Sequence, residues 1–143
     1  MSLLRVMDIG ASGLTAQRVR MEVISSNLAN LHTTSTEDGG PFQRRVVQFE
    51  ASPRDEKFEN ILDHQRKLYE VRVKSVEKDD RDPIWVYDPE HPDSDADGYV
   101  AMPNINMVEE MVNMMNATRS YEANLATINA AKGMAKKALE LGK

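Results

Sequence analysis

The chain of 143 residues is domain-sized, and its 41% apolar and 29% charged residues give it a globular composition, while 6% aromatic content leaves any core to aliphatics and methionine. The absence of cysteine excludes disulfides, thiol nucleophiles and thiolate metal sites, and no run approaches the ~20 apolar residues of a membrane-spanning helix. Net charge is -5, but Glu50 to Asp97 holds 15 acids against 8 bases, so neither end offers the basic stripe that duplex nucleic acid requires.

Leu3, Met7, Gly10, Leu14, Gln17, Met21, Ile24, Leu28 and Leu31 recur at alternating steps of four and three. This 3.5-residue period predicts an amphipathic helix from about Leu3 to Leu31, roughly 45 Å long at ~1.5 Å per residue. Gly10 and Gln17 weaken the stripe as a simple two-stranded seam. Ser26-Asn27-Leu28-Ala29-Asn30 places two amides near its end, where Asn27 is suited to bonding across helices and fixing register and Asn30 to terminating the helix. Thr33-Thr34-Ser35-Thr36 stops the helix, since hydroxyl and β-branched residues favour other backbone conformations. Asp38-Gly39-Gly40-Pro41 then predicts a turn.

Beyond it, Phe42 to Phe49, Val71 to Val76 and Ile84 to Tyr87 have the alternation of short strands. The charged stretch Pro53 to Lys67 between the first two is compatible with a loop or a short helix. Pro89, Pro92, Gly98 and Pro103 mark a loop before a second long helix that starts near Asn104 or Asn106. There Met111, Met114, Thr118, Tyr121, Leu125, Ile128, Lys132, Ala135 and Leu139 repeat the three-and-four stripe, and Met107 joins a methionine-rich entry suited to irregular partners. The expected architecture is mainly α with a small β insert: a helical arm over 1–37, a strand-containing insert over 38–103 and a second arm over 104–143. Assembly positions are Leu3, Met7, Leu14, Met21, Ile24, Asn27, Leu28 and Asn30 in the first arm, and Met107, Met111, Met114, Tyr121, Leu125 and Ile128 in the second.

Catalytic and metal chemistry finds little support. Asp93-Ser94-Asp95-Ala96-Asp97-Gly98 opens like a calcium loop, but Asn104 stands where a bidentate glutamate belongs, and Pro89 and Pro92 preclude an entering helix. Asp95, Asp97 and Gly98 instead read as a tight structural turn in which carboxylates accept local backbone bonds. Glu109 and Glu110 complement the dipole at the start of the second helix. His32, His64 and His91 lack metal-ligand spacing, and no serine sits in a nucleophile elbow. No enzyme activity, cofactor or metal is expected.

The motif Ser26-Asn27-Leu28-Ala29-Asn30 followed by Thr33-Thr34 resembles the N-terminal signature of bacterial flagellar axial proteins, the rod, hook and hook-associated subunits. Gly39-Gly40-Pro41-Phe42, Val86-Tyr87-Asp88-Pro89-Glu90-His91-Pro92, Asp95 to Asn104, Val108-Glu109-Glu110-Met111-Val112 and Arg119-Ser120-Tyr121-Glu122-Ala123-Asn124 narrow the resemblance to proximal rod subunits. It spans nearly the whole chain and is weakest from Ser52 to Gln65. The resemblance implies export by the flagellar type III apparatus without a cleaved signal, consistent with a start that has no basic n-region before an apolar run. It further implies polymerisation in the periplasm through the terminal helices, with the insert facing outward. Implied partners are copies of the chain, other proximal and distal rod subunits, a rod-base adaptor, membrane-ring proteins and the export apparatus, with no nucleic acid, small-molecule substrate or membrane insertion. Exposed stripes on both arms lead to an expectation of partial disorder in the dilute monomer. Two other classes compete: a soluble helical-hairpin adaptor or export chaperone, whose arms cover each other within one chain, and a calcium-responsive module.

Overall fold

The computed structural model describes residues 3–53 and 68–141. Helix α1 spans Leu3–Ala29, followed by strands β1 (Arg45–Pro53), β2 (Tyr69–Lys78), β3 (Ile84–Tyr87) and β4 (Tyr99–Met102), and helix α2 (Met107–Glu140). Two long helices around a few short antiparallel strands match the expected mainly α architecture. Of the charged stretch Pro53 to Lys67, residues 54–67 lie outside the described residues.

α1 ends where the sequence stops favouring helix. Asn30 Nδ2 donates to the Ser26 carbonyl at 2.8 Å, and the chain leaves through Thr33 to Thr36. The glycine turn follows as predicted: Gly39 and Gly40 hold φ of 85° and 77°, left-handed values at which a Cβ would be strained. β1 pairs antiparallel with β2 from Arg45 opposite Lys78 to Pro53 opposite Tyr69, with a bulge between Gln48 and Phe49. β2 runs longer than the predicted Val71 to Val76, whereas β1 is shifted from the predicted Phe42 to Phe49, beginning at Arg45 and continuing to Pro53. β3 has its predicted bounds.

Its partner β4 lies where the sequence predicts a loop. Tyr99 to Met102 is four residues held between Gly98 and Pro103, and only pairing with β3, Ile84 opposite Met102 and Tyr87 opposite Tyr99, makes it a strand. An acidic turn joins them. Asp95 Oδ1 accepts from the backbone N–H of Asp97 (3.0 Å) and Tyr99 (2.8 Å), and Gly98 adopts φ 83° with a would-be Cβ 2.9 Å from Tyr87 Cε2. Among the described residues no three His, Asp or Glu side chains converge as metal ligands.

α2 starts where Asn106, in an extended conformation, accepts from the N–H of Val108 (2.9 Å) and Glu109 (3.2 Å) through Oδ1. The two helices lie antiparallel: Asn27 meets Glu110, Met21 meets Thr118, Gly13 meets Asn124 and Gly10 meets Ile128. α1 also packs on β1 and β2, with Ser12 Oγ accepting from the Val71 N–H at 3.3 Å. The buried apolar side chains among the described residues are small on average, namely Ala16, Ile24, Val100, Ile105, Ala117 and Ala131, and none is a methionine.

Candidate functional site: the helical seam and its polar clasp

The stripe of α1 falls on its covered side as read from the sequence. Ile24 and Asn27 are buried, and Leu3, Met7, Leu14, Met21, Leu28 and Asn30 are half-buried. Gln17 also lies in the seam, its Oε1 enclosed without a hydrogen-bond partner among the described residues.

On α2 the expected stripe needs correction. The covered seam runs Glu110, Met114, Ala117, Tyr121, Asn124, Ile128, Ala131 and Ala135. It keeps Met114, Tyr121, Ile128 and Ala135, but at alternate steps it takes the preceding residue, so Met111, Leu125 and Lys132 turn outward and Thr118 stands exposed at the seam's edge, its Oγ1 3.6 Å from Met21 Sδ. Met107 and Leu139 are exposed as well. At one of these steps the physical reason is close approach: Gly13 lets α1 come down on Asn124, where the bulkier Leu125 is rotated away, while Gly10 makes room for Ile128 within the seam. α2 therefore carries a second, uncovered apolar track: Val108, Met111 and Met115, with Leu125 further along the same side, 43% exposed.

The seam is locked at one end by a buried polar clasp. Glu110, in the first turn of α2, is 0% exposed. Its Oε1 accepts from Arg44 Nε (2.9 Å) and Nη2 (2.7 Å), and its Oε2 accepts from Asn27 Nδ2 (2.9 Å). Asn27, 1% exposed, also donates through Nδ2 to the Arg45 carbonyl and accepts from the Arg45 N–H, both at 2.9 Å. Arg44 Nη1 reaches Asp79 Oδ2 at 3.1 Å, and Arg81 flanks the same carboxylate. Four elements of the chain are thus joined through charge-assisted bonds: the end of α1, the entry to β1, the exit of β2 and the start of α2.

Charge and burial act on this cluster in opposite directions. Burial alone would lower the Arg44 pKa, but its bonds to Glu110 and Asp79 outweigh that and hold it above the ordinary arginine value. The Arg81 hydrogen bond, helped by Arg44 and opposed by burial, lowers Asp79 below the usual carboxylate range. Folding therefore favours ionised Asp79. Its contribution is present above the unfolded value of about 3.9 and is lost as pH falls through the folded one. Asp79→Asn is expected to reduce the drop in melting temperature between pH 7 and pH 3.

Sequence reasoning located Asn27 as a cross-helix amide, and here it bonds across to α2. It gave Glu110 only a dipole role and passed over Arg44 and Asp79. The available signal was Glu110 itself, which continues the 114, 121, 128 seam by one step while being charged.

Two family matches bracket the chain at its helices: one described as flagella basal body rod protein covers residues 7–35, and one described as flagellar basal body rod FlgEFG protein C-terminal covers residues 96–141. The flagellar basal-body rod protein FlgC of Bacillus subtilis is 43% identical over 100% of both chains. That of Borreliella burgdorferi is 43% identical over 99% of this chain and 98% of its own, and that of Salmonella typhimurium 40% identical over 99% of each. The chain belongs to the FlgC family of flagellar basal-body rod proteins. The resemblance read from the motifs is borne out, and membership in this family places the chain in the flagellar basal body. No helix among the described residues is long and apolar enough to cross a membrane.

Proposed function

We propose that the chain is a structural subunit of the proximal rod, polymerising in the periplasm through its terminal helices to form part of the drive shaft. The observation that carries this reading is the second apolar track on α2. Pairing of the arms within one chain would suit a closed adaptor, but a hairpin that leaves Val108, Met111, Met115 and Leu125 in water is not self-sufficient. The family match to rod proteins likewise disfavours the adaptor.

In this reading the arms, 1–37 and 104–143, supply the contacts and the insert, 38–103, faces outward. Leu3, Met7, Leu14, Met21, Ile24, Leu28, Met114, Tyr121 and Ile128 act by holding the hairpin, Asn27 by locking it and Asn30 by ending α1. Met107, Met111 and Leu125 meet neighbouring subunits. Those neighbours are copies and other rod subunits, with the rod-base adaptor, membrane ring and type III export apparatus met during delivery. Contacts between different patches do not close on themselves, so they extend a helical assembly.

Two aspartates separate folding from assembly. Leu125→Asp is expected to leave the monomer's stability within about 0.5 kcal/mol, as for most exposed sites, yet to remove the chain from purified basal bodies. Leu14→Asp places a charge in the half-buried seam and is expected to melt the hairpin itself. Thermal denaturation of each purified variant, with immunoblots of basal bodies, distinguishes the two. Wild-type incorporation of Leu125→Asp would show that the track is not an assembly surface.

A further inference from the structure

The hairpin of β3 and β4 presents one face made almost entirely of aromatic rings. The pairing of Trp85 with Ala101 and Tyr87 with Tyr99 puts all four on the same side. Trp85, the chain's only tryptophan, is 59% exposed, and Tyr87 and Tyr99 stack edge to face at 5.3 Å with both rings exposed. Nothing in the local fold requires this exposure. Beside Trp85 and Tyr99 opens a groove of about 350 Å³, lined also by Thr34, Pro41, Asp93 and Asp95. Thr34 Oγ1 donates to Asp93 Oδ2 at 2.7 Å. Asp95 spends Oδ1 on its own turn. Among the described residues, Asp93 Oδ1 and Asp95 Oδ2 have no hydrogen-bond donor.

Aromatic faces next to available carboxylates bind cations, because the ring quadrupole and the anionic oxygens attract an ammonium or guanidinium together. The surrounding charge has the same sign: from Asp79 to Asp97 eight acids stand against the single base Arg81. The complementary chemistry lies at the other pole of the molecule. The last turns of α2 expose Lys132 and Lys136, one turn apart, together with Lys137. About 39 Å of helix, at ~1.5 Å per residue, separates Glu110 from Lys136, so the lysines at the end of α2 do not reach the groove of their own chain.

We propose that the groove between the β3–β4 hairpin and the Thr34–Pro41 loop receives a lysine from the Lys132–Lys137 end of α2 in a second copy of this chain, stacked on Trp85 and paired with Asp93. The inference rests on the rod-subunit reading above. It gives the assembly a polarity, with an acidic aromatic socket at one end of each hairpin and a basic helix end at the other, and a heterologous contact of this kind propagates along an axis.

The test uses the full chain in purified basal bodies, with Trp85→p-benzoylphenylalanine as a photocrosslinking probe. The expected adduct maps to the Lys132–Lys137 stretch of another copy of the chain, and an adduct to a different rod subunit overturns the proposal. An adduct on a surface without cations, or no adduct from an incorporated chain, overturns the proposal. Asp93→Lys is expected to lower incorporation by about tenfold or more through like-charge repulsion, and Asp93→Asn, which keeps the acceptor for Thr34, by less. Trp85→Ala, at an exposed site, leaves the melting temperature unchanged and lowers incorporation as well. Normal incorporation of both Asp93→Lys and Trp85→Ala rejects the socket. Absence of the unmodified chain from basal bodies would instead reject the rod-subunit reading.

Discussion

Glu110→Ala is expected to destabilise the monomer by about 3–5 kcal/mol, the scale for removing one partner of a buried ion pair. The loss has two parts. The Arg44 guanidinium, its side chain 13% exposed, would be left with Asp79 and the more distant Glu109 carboxylate at 3.6 Å, and Asn27 would lose the Glu110 acceptor while keeping the Arg45 carbonyl. Since a domain of this size is stable by only about 5–15 kcal/mol, the helical ends should separate well below the temperature at which wild type melts. Glu110→Gln retains an oxygen acceptor and is expected to lose less. The comparison that isolates the ion pair is Arg44→Met with Glu110→Met, which removes both charges and should recover much of the loss, because the desolvation penalty disappears with them. Chemical denaturation of the purified proteins measures all three. A loss below about 1 kcal/mol in Glu110→Ala would mean that the clasp is not a principal fastening.

How far the sequence disclosed this arrangement depended on whether the signal was local. α1 was legible because Leu3, Met7, Leu14, Met21, Ile24 and Leu28 are large, apolar and correctly spaced, and because Thr33 to Thr36 and the Gly39-Gly40 turn act on the backbone within a few residues. α2 was legible as a helix but not as a surface. Its seam uses Ala117, Asn124 and Ala131: Leu125 is far more apolar than Asn124, and a three-and-four stripe placed on Met111 and Leu125 falls on Thr118 and Lys132 even though Ala117 and Ala131 beside them are the more apolar, so closeness of packing went unread. β4 depended on a partner strand across an eleven-residue turn. Arg44 and Glu110 are 66 positions apart, and nothing near either residue identifies the other. The Asn27 amide was found because its motif is contiguous; the carboxylate it holds was not.

Gly10→Val is expected to open the middle of the seam. A Cβ built at Gly10 would sit 2.8 Å from Ile128 Cγ1 and 3.2 Å from its Cδ1. Either the ring of contacts around Ile128 yields or the helices move apart. Alanine at this position gains up to ~1 kcal/mol of helix propensity over glycine, which offsets part of the clash, so Gly10→Ala should be mildly destabilising. Valine adds two methyl groups with a restricted χ1 to an already closed space, and overpacking of that kind typically costs about 1–3 kcal/mol, more where backbones must separate. The consequence extends beyond stability. Splaying α1 from α2 displaces the outward track of Met111 and Leu125 relative to α1, so Gly10→Val should reduce incorporation into basal bodies even at temperatures where the monomer stays folded. Gly13→Ala provides the contrast: its Cβ would meet Asn124 Nδ2 at 2.7 Å, the far end of a side chain that can turn aside, and its effect should be small. The decisive measurement is a double-mutant cycle in which Ile128→Ala removes both atoms that obstruct position 10. If Gly10→Ala is destabilising alone but neutral or stabilising in the Ile128→Ala background, the glycine serves helix approach; equal effects in the two backgrounds would assign its cost to something other than the seam.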